Sequence, residues 1–153
     1  MKIYIRAMSE NKSRLHDQLV PLAGKMIEHL MKCFMFPNTD PYEHWKGEIY
    51  SFIHDVPKLS NSKKWPDSDF LVKCLWDTYE DAIEDWYPQL IDEYSSYHLN
   101  THSDSVTVYN CCSEYVEWLC VELSRYGRVS SRSCFEKIDN IVEGIVSDTN
   151  EQQ

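Results

Sequence analysis

Histidines at positions 98 and 102, with Asp104 and the Cys111-Cys112 pair downstream, are side chains that suit zinc. Their spacing matches no standard zinc module. The two histidines fall in a polar stretch that reads as a loop, and none of the six cysteines forms a CxxC pair. No metal site is assigned, and the thiols read as buried side chains. His44 and Glu48 share a helix face, with His54-Asp55 following. A histidine needs an orienting acid and a nearby nucleophile to catalyse a reaction, and no third partner is marked here. His16 and His29 read as surface or boundary residues. The chain has no HExxH, no ExxH pair, no GxxxxGK[ST], no GxSxG and no GxGxxG. The expectation is a non-enzymatic protein without a cofactor. A metal-dependent enzyme built on His98 and His102 is the second alternative.

The stronger signal is charge. The segment DTYEDAIEDWYP, residues 77–88, carries five acidic side chains and no basic one. Net charge is −10, and it is unevenly spread. Residues 1–64 hold ten Lys/Arg against seven Asp/Glu, whereas residues 65–123 hold one, Lys73, against thirteen. Asp77, Glu80, Asp81 and Glu84 lie opposite the apolar stripe of a helix starting near Asp67, with Asp85 on the flank. At steps of three and four, neighbours are about 5–6 Å apart, and like charges there destabilise a helix. Asp92 and Glu93 extend the row beyond Pro88. Glu114, Glu117 and Glu122 follow on the next long helix. Such a row resembles the charge spacing of a nucleic-acid backbone. It suits the Lys/Arg groove of a nucleic-acid-binding protein, with salt-sensitive affinity and steered association. Trp76, Tyr87 and Tyr94, if exposed, would add aromatic anchors. The bland reading is a solubilising surface, neutralised by the chain's own basic segments at 58–64 or 125–132.

These residues must be held by helices. Glycine occurs only four times, which disfavours a turn-rich β protein. At 153 residues one domain can bury roughly 70% of its unfolded surface. Residues 1–146 read as one helical domain and 147–153 as a solvated tail. Lys2 to Ala7 alternates like a short strand. Leu15, Leu19, Leu22, Met26, Leu30 and Cys33/Phe34 follow a helical period, capped at Ser9 or Ser13 and interrupted at Pro21. Asp40-Pro41-Tyr42-Glu43 reads as a helix start, Trp45, Ile49, Phe52 and Val56 as its inner face, and Pro57 as its stop. Leu71, Leu75, Thr78, Ala82 and Trp86 continue in one helix that Pro88 kinks or splits. Val108, Cys112, Tyr115, Leu119 and Leu123 run to a stop at Gly127. Ser133 to Glu136 reads as a capping box before Ile138, Ile141 and Ile145. The expected fold is all-α, a single compact domain of five or six helices, with a short N-terminal β-strand left open. No apolar run nears the roughly 20 residues of a membrane helix. The opening MKIYIRAMSE has charges too close to its apolar residues for a signal peptide. A cytoplasmic protein without membrane contact is expected.

The phrases MKIYIRAMSE, EHWKGEIYSFIHDV and KKWPDSDFLVKCLWDTYED resemble short uncharacterised proteins carried on bacterial mobile elements and prophages. The resemblance covers the first half to two thirds of the chain and carries over no functional residue. Small acidic proteins of that setting are often inhibitors of host defence, anti-CRISPR proteins among them. By that analogy the partner is a basic, nucleic-acid-binding protein such as a CRISPR nuclease. The expected contacts are Asp77, Glu80, Asp81, Glu84, Asp85, Asp92 and Glu93. Direct nucleic-acid binding is disfavoured by the sign of the charge. The first alternative is a helical structural or regulatory module that forms a homo-oligomer.

Overall fold

The computed structural model describes residues 2–59, 65–95 and 103–151, with side chains from residue 13 to 146 apart from Ser68. It is all-α and forms one compact domain. Among the described residues six α-helices follow one another: α1 Lys2–Met35, α2 Tyr42–Leu59, α3 Ser68–Val72, α4 Ala82–Glu93, α5 Ser105–Tyr126 and α6 Ser131–Glu151. A π-helical stretch, Lys73–Asp77, continues α3 directly. The basic segment after Leu59, residues 60–64, lies outside the described residues, as do His98 and His102.

The centre of the fold is α1. Leu30, Met31, Lys32, Cys33, Phe34, Met35 and Phe36 are all buried in succession. A helix buried on every side must be enclosed by others, and α1 packs against α2, the π-helical stretch, α4, α5 and α6. The inner faces read from the sequence for α2 and α5 hold, whereas Thr78, read as part of the next inner face, is exposed in a turn. Trp45, Ile49, Phe52 and Val56 of α2 are buried, as are Val108, Cys112, Tyr115, Leu119 and Leu123 of α5. Asp67 caps α3, accepting from the Phe70 amide at 2.9 Å. Asp104 caps α5, accepting from the Thr107 amide at 2.8 Å. Hydrogen bonds from the Thr107 amide and then its hydroxyl hold the Asp104 carboxyl below its ordinary pKa. Gly127 ends α5 at φ +71°, a left-handed conformation that favours glycine.

Several local expectations are corrected. Lys2 to Ala7 is the first turn and a half of α1, and no strand occurs among the described residues. Alternation over six residues cannot hold a strand without a partner to pair with. Ser9 and Ser13 therefore lie inside α1 and do not cap it. Pro21, Pro57 and Pro88 all sit within helices. Pro21 and Pro88 are exposed, so solvent can satisfy the carbonyl each leaves without a donor. Apolar residues on both sides of each proline bury into one core, which outweighs one missing bond. Pro57 lies in the last turn of α2. Ser130, not Ser133, caps α6, its Oγ accepting from the Ser133 amide at 3.1 Å. Glu136 instead takes Arg132 Nε at 2.9 Å. Glu43 turns to Lys46 Nζ at 3.0 Å rather than back to its helix start. The last helix continues past Val146 to Glu151.

The six cysteines are free and buried. Burial pushes the Cys111 thiol up to about 12 and those of Cys120 and Cys134 up to about 11. Tyr115 is the largest fully buried side chain. Its hydroxyl meets no well-formed hydrogen-bond partner among the described residues and has only the weakly accepting thiol of Cys134 beside it. A buried hydroxyl left so poorly satisfied costs up to about 1–3 kcal/mol. Tyr115→Phe removes that group and keeps the ring. We expect a gain of about 1 kcal/mol in a urea melt. A loss of stability would show that the hydroxyl is satisfied.

Candidate functional site

The acidic row does not lie on one regular helix. The π-helical stretch and a turn at 78–81 interrupt it. Thr78 Oγ1 donates to the Lys73 carbonyl at 2.6 Å, and the amides of Tyr79 and Glu80 share the Trp76 carbonyl at 2.9 and 2.8 Å. The wider π turn buries Cys74 and Leu75 on one side. Trp76 is thereby brought onto α5, where its ring lies 5.2 Å from that of Tyr109. π-helical insertions of this kind recur at functional sites.

Tyr79 anchors the turn to the centre of the fold. Its hydroxyl donates to the Val20 carbonyl of α1 at 2.7 Å, and its ring tilts against Trp86 at 5.4 Å. The ring lies over Gly24, where a Cβ would come within 2.8 Å of it. The acidic turn is thus a fixed feature of the surface. Asp77, Asp81, Glu84, Asp85, Asp92 and Glu93 are exposed, and Glu80 is half-buried. Glu80 accepts from the Tyr109 hydroxyl at 3.3 Å. Among the described residues, none of these seven carboxylates is in an ion pair. The acidic groups that are paired belong elsewhere: Asp17, Glu28, Glu43, Glu48, Asp55, Glu114, Glu136 and Asp139. The basic segment at 125–132 offers Arg132 to Glu136 and does not pair with the row.

The carboxylates rim a hollow that sequence reading missed. Glu80, Asp81 and Glu84 face Ser105, Val106 and Tyr109 across a space of about 580 Å³. Val106 is 66% exposed. A second, more apolar hollow of about 350 Å³ lies between Val72 and Trp76 on one side and Ser113, Val116, Glu117, Cys120 and Val121 on the other. Trp76 of the second hollow and Tyr109 of the first are in ring contact. The exposure of Val106 and Val121 was the available signal, because neither fits the inner stripe of α5. The expected aromatic anchors are otherwise corrected. Tyr87 is half-buried and donates to the Ser103 carbonyl at 2.6 Å. Tyr94 packs between Phe36 and Trp45, with Lys32 Nζ over its ring at 5.2 Å. Trp76 is half-buried and lines the apolar hollow.

Of the metal candidate, His98 and His102 lie outside the described residues. Cys111 and Cys112 are buried in α5. Among the described residues no three His, Cys, Asp or Glu side chains converge to hold a metal ion. His44 Nε2 lies 3.8 Å from Glu48 Oε1 on an exposed face, and His54 stacks on Tyr50 at 5.9 Å. Among the described residues, no helix is long and apolar enough to cross a membrane. No protein-family model, curated protein or solved structure matches the chain.

Proposed function

We propose that the chain is a non-enzymatic acidic binding protein that acts in the cytoplasm. It occupies the basic nucleic-acid groove of a nuclease or another defence protein, as an anti-CRISPR-type inhibitor would. One observation carries this reading. Seven carboxylates, six of them exposed, stand on one segment, residues 77–93, without an ion pair among the described residues. Self-repulsion of such a row lowers the stability of the free protein. The cations of a basic groove would relieve it, and they would orient the encounter at long range.

The test is a tagged pull-down from bacterial lysate at low and at high salt, with and without added DNA or RNA. The same experiment is run with Asp81→Lys/Glu84→Lys/Asp85→Lys. A nucleic-acid-binding protein is expected at low salt, released by high salt and displaced by nucleic acid. The triple reversal is expected to weaken its binding at least tenfold. A partner held through high salt, indifferent to nucleic acid and to the reversal, overturns the reading.

A further inference from the structure

The hollow of about 350 Å³ between the π-helical stretch and α5 has a lining that the acidic row does not account for. It shares no lining residue with the hollow beside Glu80, Asp81 and Glu84. Val72 and Trp76, four residues apart, stand on one side, and both are half-buried. On α5, Val116 and Cys120 are buried, again four apart, and Val121 next to them is 43% exposed. Among the described residues, Ser113 and Glu117 are the lining side chains that carry oxygen. Glu117 is exposed and is in no ion pair among the described residues. The volume lies at the small end of the range of ligand pockets, about 300–1,000 Å³, and suits a single ring with a short chain. Trp76 belongs to the π-helical stretch, an insertion of a kind that recurs at functional sites.

The lining also sets the charge of an occupant. A purely apolar body would take water from the Glu117 carboxylate and give nothing back, whereas an ammonium replaces that water with an ion pair. The field of the surroundings has the same sign, since residues 65–123 hold Lys73 alone against thirteen Asp/Glu. The Trp76 ring adds an aromatic surface that favours both rings and cations. We infer that this hollow binds a small organic cation with an apolar body, of the class of the arylalkyl amines. The ring packs among Val72, Trp76, Val116 and Val121, and the ammonium donates to Glu117, with the Ser113 hydroxyl as a second acceptor. The site goes beyond the acidic-binding reading and does not depend on it.

The probes are 2-phenylethylamine, 3-phenylpropionate and ethylamine. The second puts the opposite charge on a similar body, and the third carries the charge with almost no body. Each is titrated into the ¹⁵N-labelled full chain at neutral pH and about 0.15 M salt, where exposed charges more than about 8 Å apart are largely screened. The same titrations are run on Glu117→Gln and Val121→Lys, both exposed positions of α5 whose fold is checked by circular dichroism. The aryl amine is expected to bind about tenfold tighter than either of the other two, with shifts centred on residues 72–76 and 113–121. Glu117→Gln should bring the aryl amine and the carboxylate to nearly equal affinity, and Val121→Lys should weaken the amine about fivefold. Equal binding of amine and carboxylate, ethylamine as tight as the aryl amine, shifts elsewhere, or no shift at millimolar concentration overturns the inference. So does an amine preference that survives in Glu117→Gln. Asp81→Lys/Glu84→Lys/Asp85→Lys should leave the amine bound within about twofold. A larger loss would place the amine on the acidic row and overturn the inference, while the acidic-binding reading is decided by its own pull-down.

Discussion

Lys46→Ala is expected to cost about 3 kcal/mol of folding stability, because it removes one member of a partly buried ion pair and empties its site. Lys46 is only 3% exposed. Its Nζ lies 2.9 Å from Asp139 Oδ1 on α6 and 3.0 Å from Glu43 Oε1. The Tyr42 hydroxyl donates to the same Asp139 oxygen at 2.6 Å. The ammonium also sits over the rings of Tyr42 and Phe135, at 4.7 and 5.4 Å. Removing it breaks the polar tie between α2 and α6 and leaves Asp139 with the phenol alone. At about 2–4 °C per kcal/mol for a chain of this size, the melting temperature should fall by about 6–12 °C. Lys46→Met keeps most of the volume and should lose about half as much. A change below 0.5 kcal/mol for the alanine variant would show that the tie carries no stability.

The same tie has a pH signature. Burial alone would lower the pKa of Lys46, but its hydrogen bonds to Asp139 and Glu43 outweigh burial and hold it above the ordinary 10.5. Burial, and then the hydrogen bond to Asp139, raises the Tyr42 phenol above its ordinary 10.0. Groups whose pKa rises on folding contribute fully below the unfolded value and lose that contribution as pH climbs through the folded one. The stabilisation is therefore complete at neutral pH and drains on the alkaline side of about pH 10. Lys46→Ala should flatten that alkaline limb.

Gly24→Ala is expected to destabilise the protein by about 2 kcal/mol, against the helix propensity of the two residues. In an open helix, alanine is better than glycine by about 1 kcal/mol. Here the new Cβ would stand 2.8 Å from Tyr79 Cζ and from its hydroxyl. The ring cannot swing away cheaply, since its hydroxyl bonds Val20 and its face meets Trp86. The discriminating comparison is a double-mutant cycle. In a Tyr79→Ala background the clash is gone, and Gly24→Ala should be neutral or stabilising. A cost that persists without the Tyr79 ring would place the strain elsewhere.

The inner faces were legible because burial repeats at the helical period. Leu19, Met26, Leu30 and Phe34 show this on α1, as Ile138 and Ile141 do on α6. The caps at Asp67 and Asp104 and the stop at Gly127 were legible because each satisfies local backbone groups. The π-helical stretch was not. Its extra residue has no residue-type signature in Lys73–Asp77, and what accompanies it is tertiary: Cys74 and Leu75 are buried and Trp76 packs on Tyr109. The prolines misled for the reverse reason: a local cost was overruled by tertiary burial. Of the site, the carboxylates and their clustering were visible in the composition. The two hollows were not, because Val106 and Tyr109 meet Glu80 and Glu84, and Val121 meets Trp76, only after the chain folds back. Gly24 was the one hint of close approach, a lone glycine within the strongest apolar stripe of α1.

The six enclosed thiols have a practical consequence. A sulfhydryl reagent attacks the thiolate, and burial both hides these sulfurs and keeps them protonated at neutral pH. Modification must then wait for the chain to open. Cys33 and Cys134 lie on the first and last helices, with Cys74, Cys111, Cys112 and Cys120 between them. Their rates of alkylation, resolved by peptide mass, form a set of internal clocks. Equal rates would mean that the molecule opens all at once, and unequal rates would give the order in which its helices come apart.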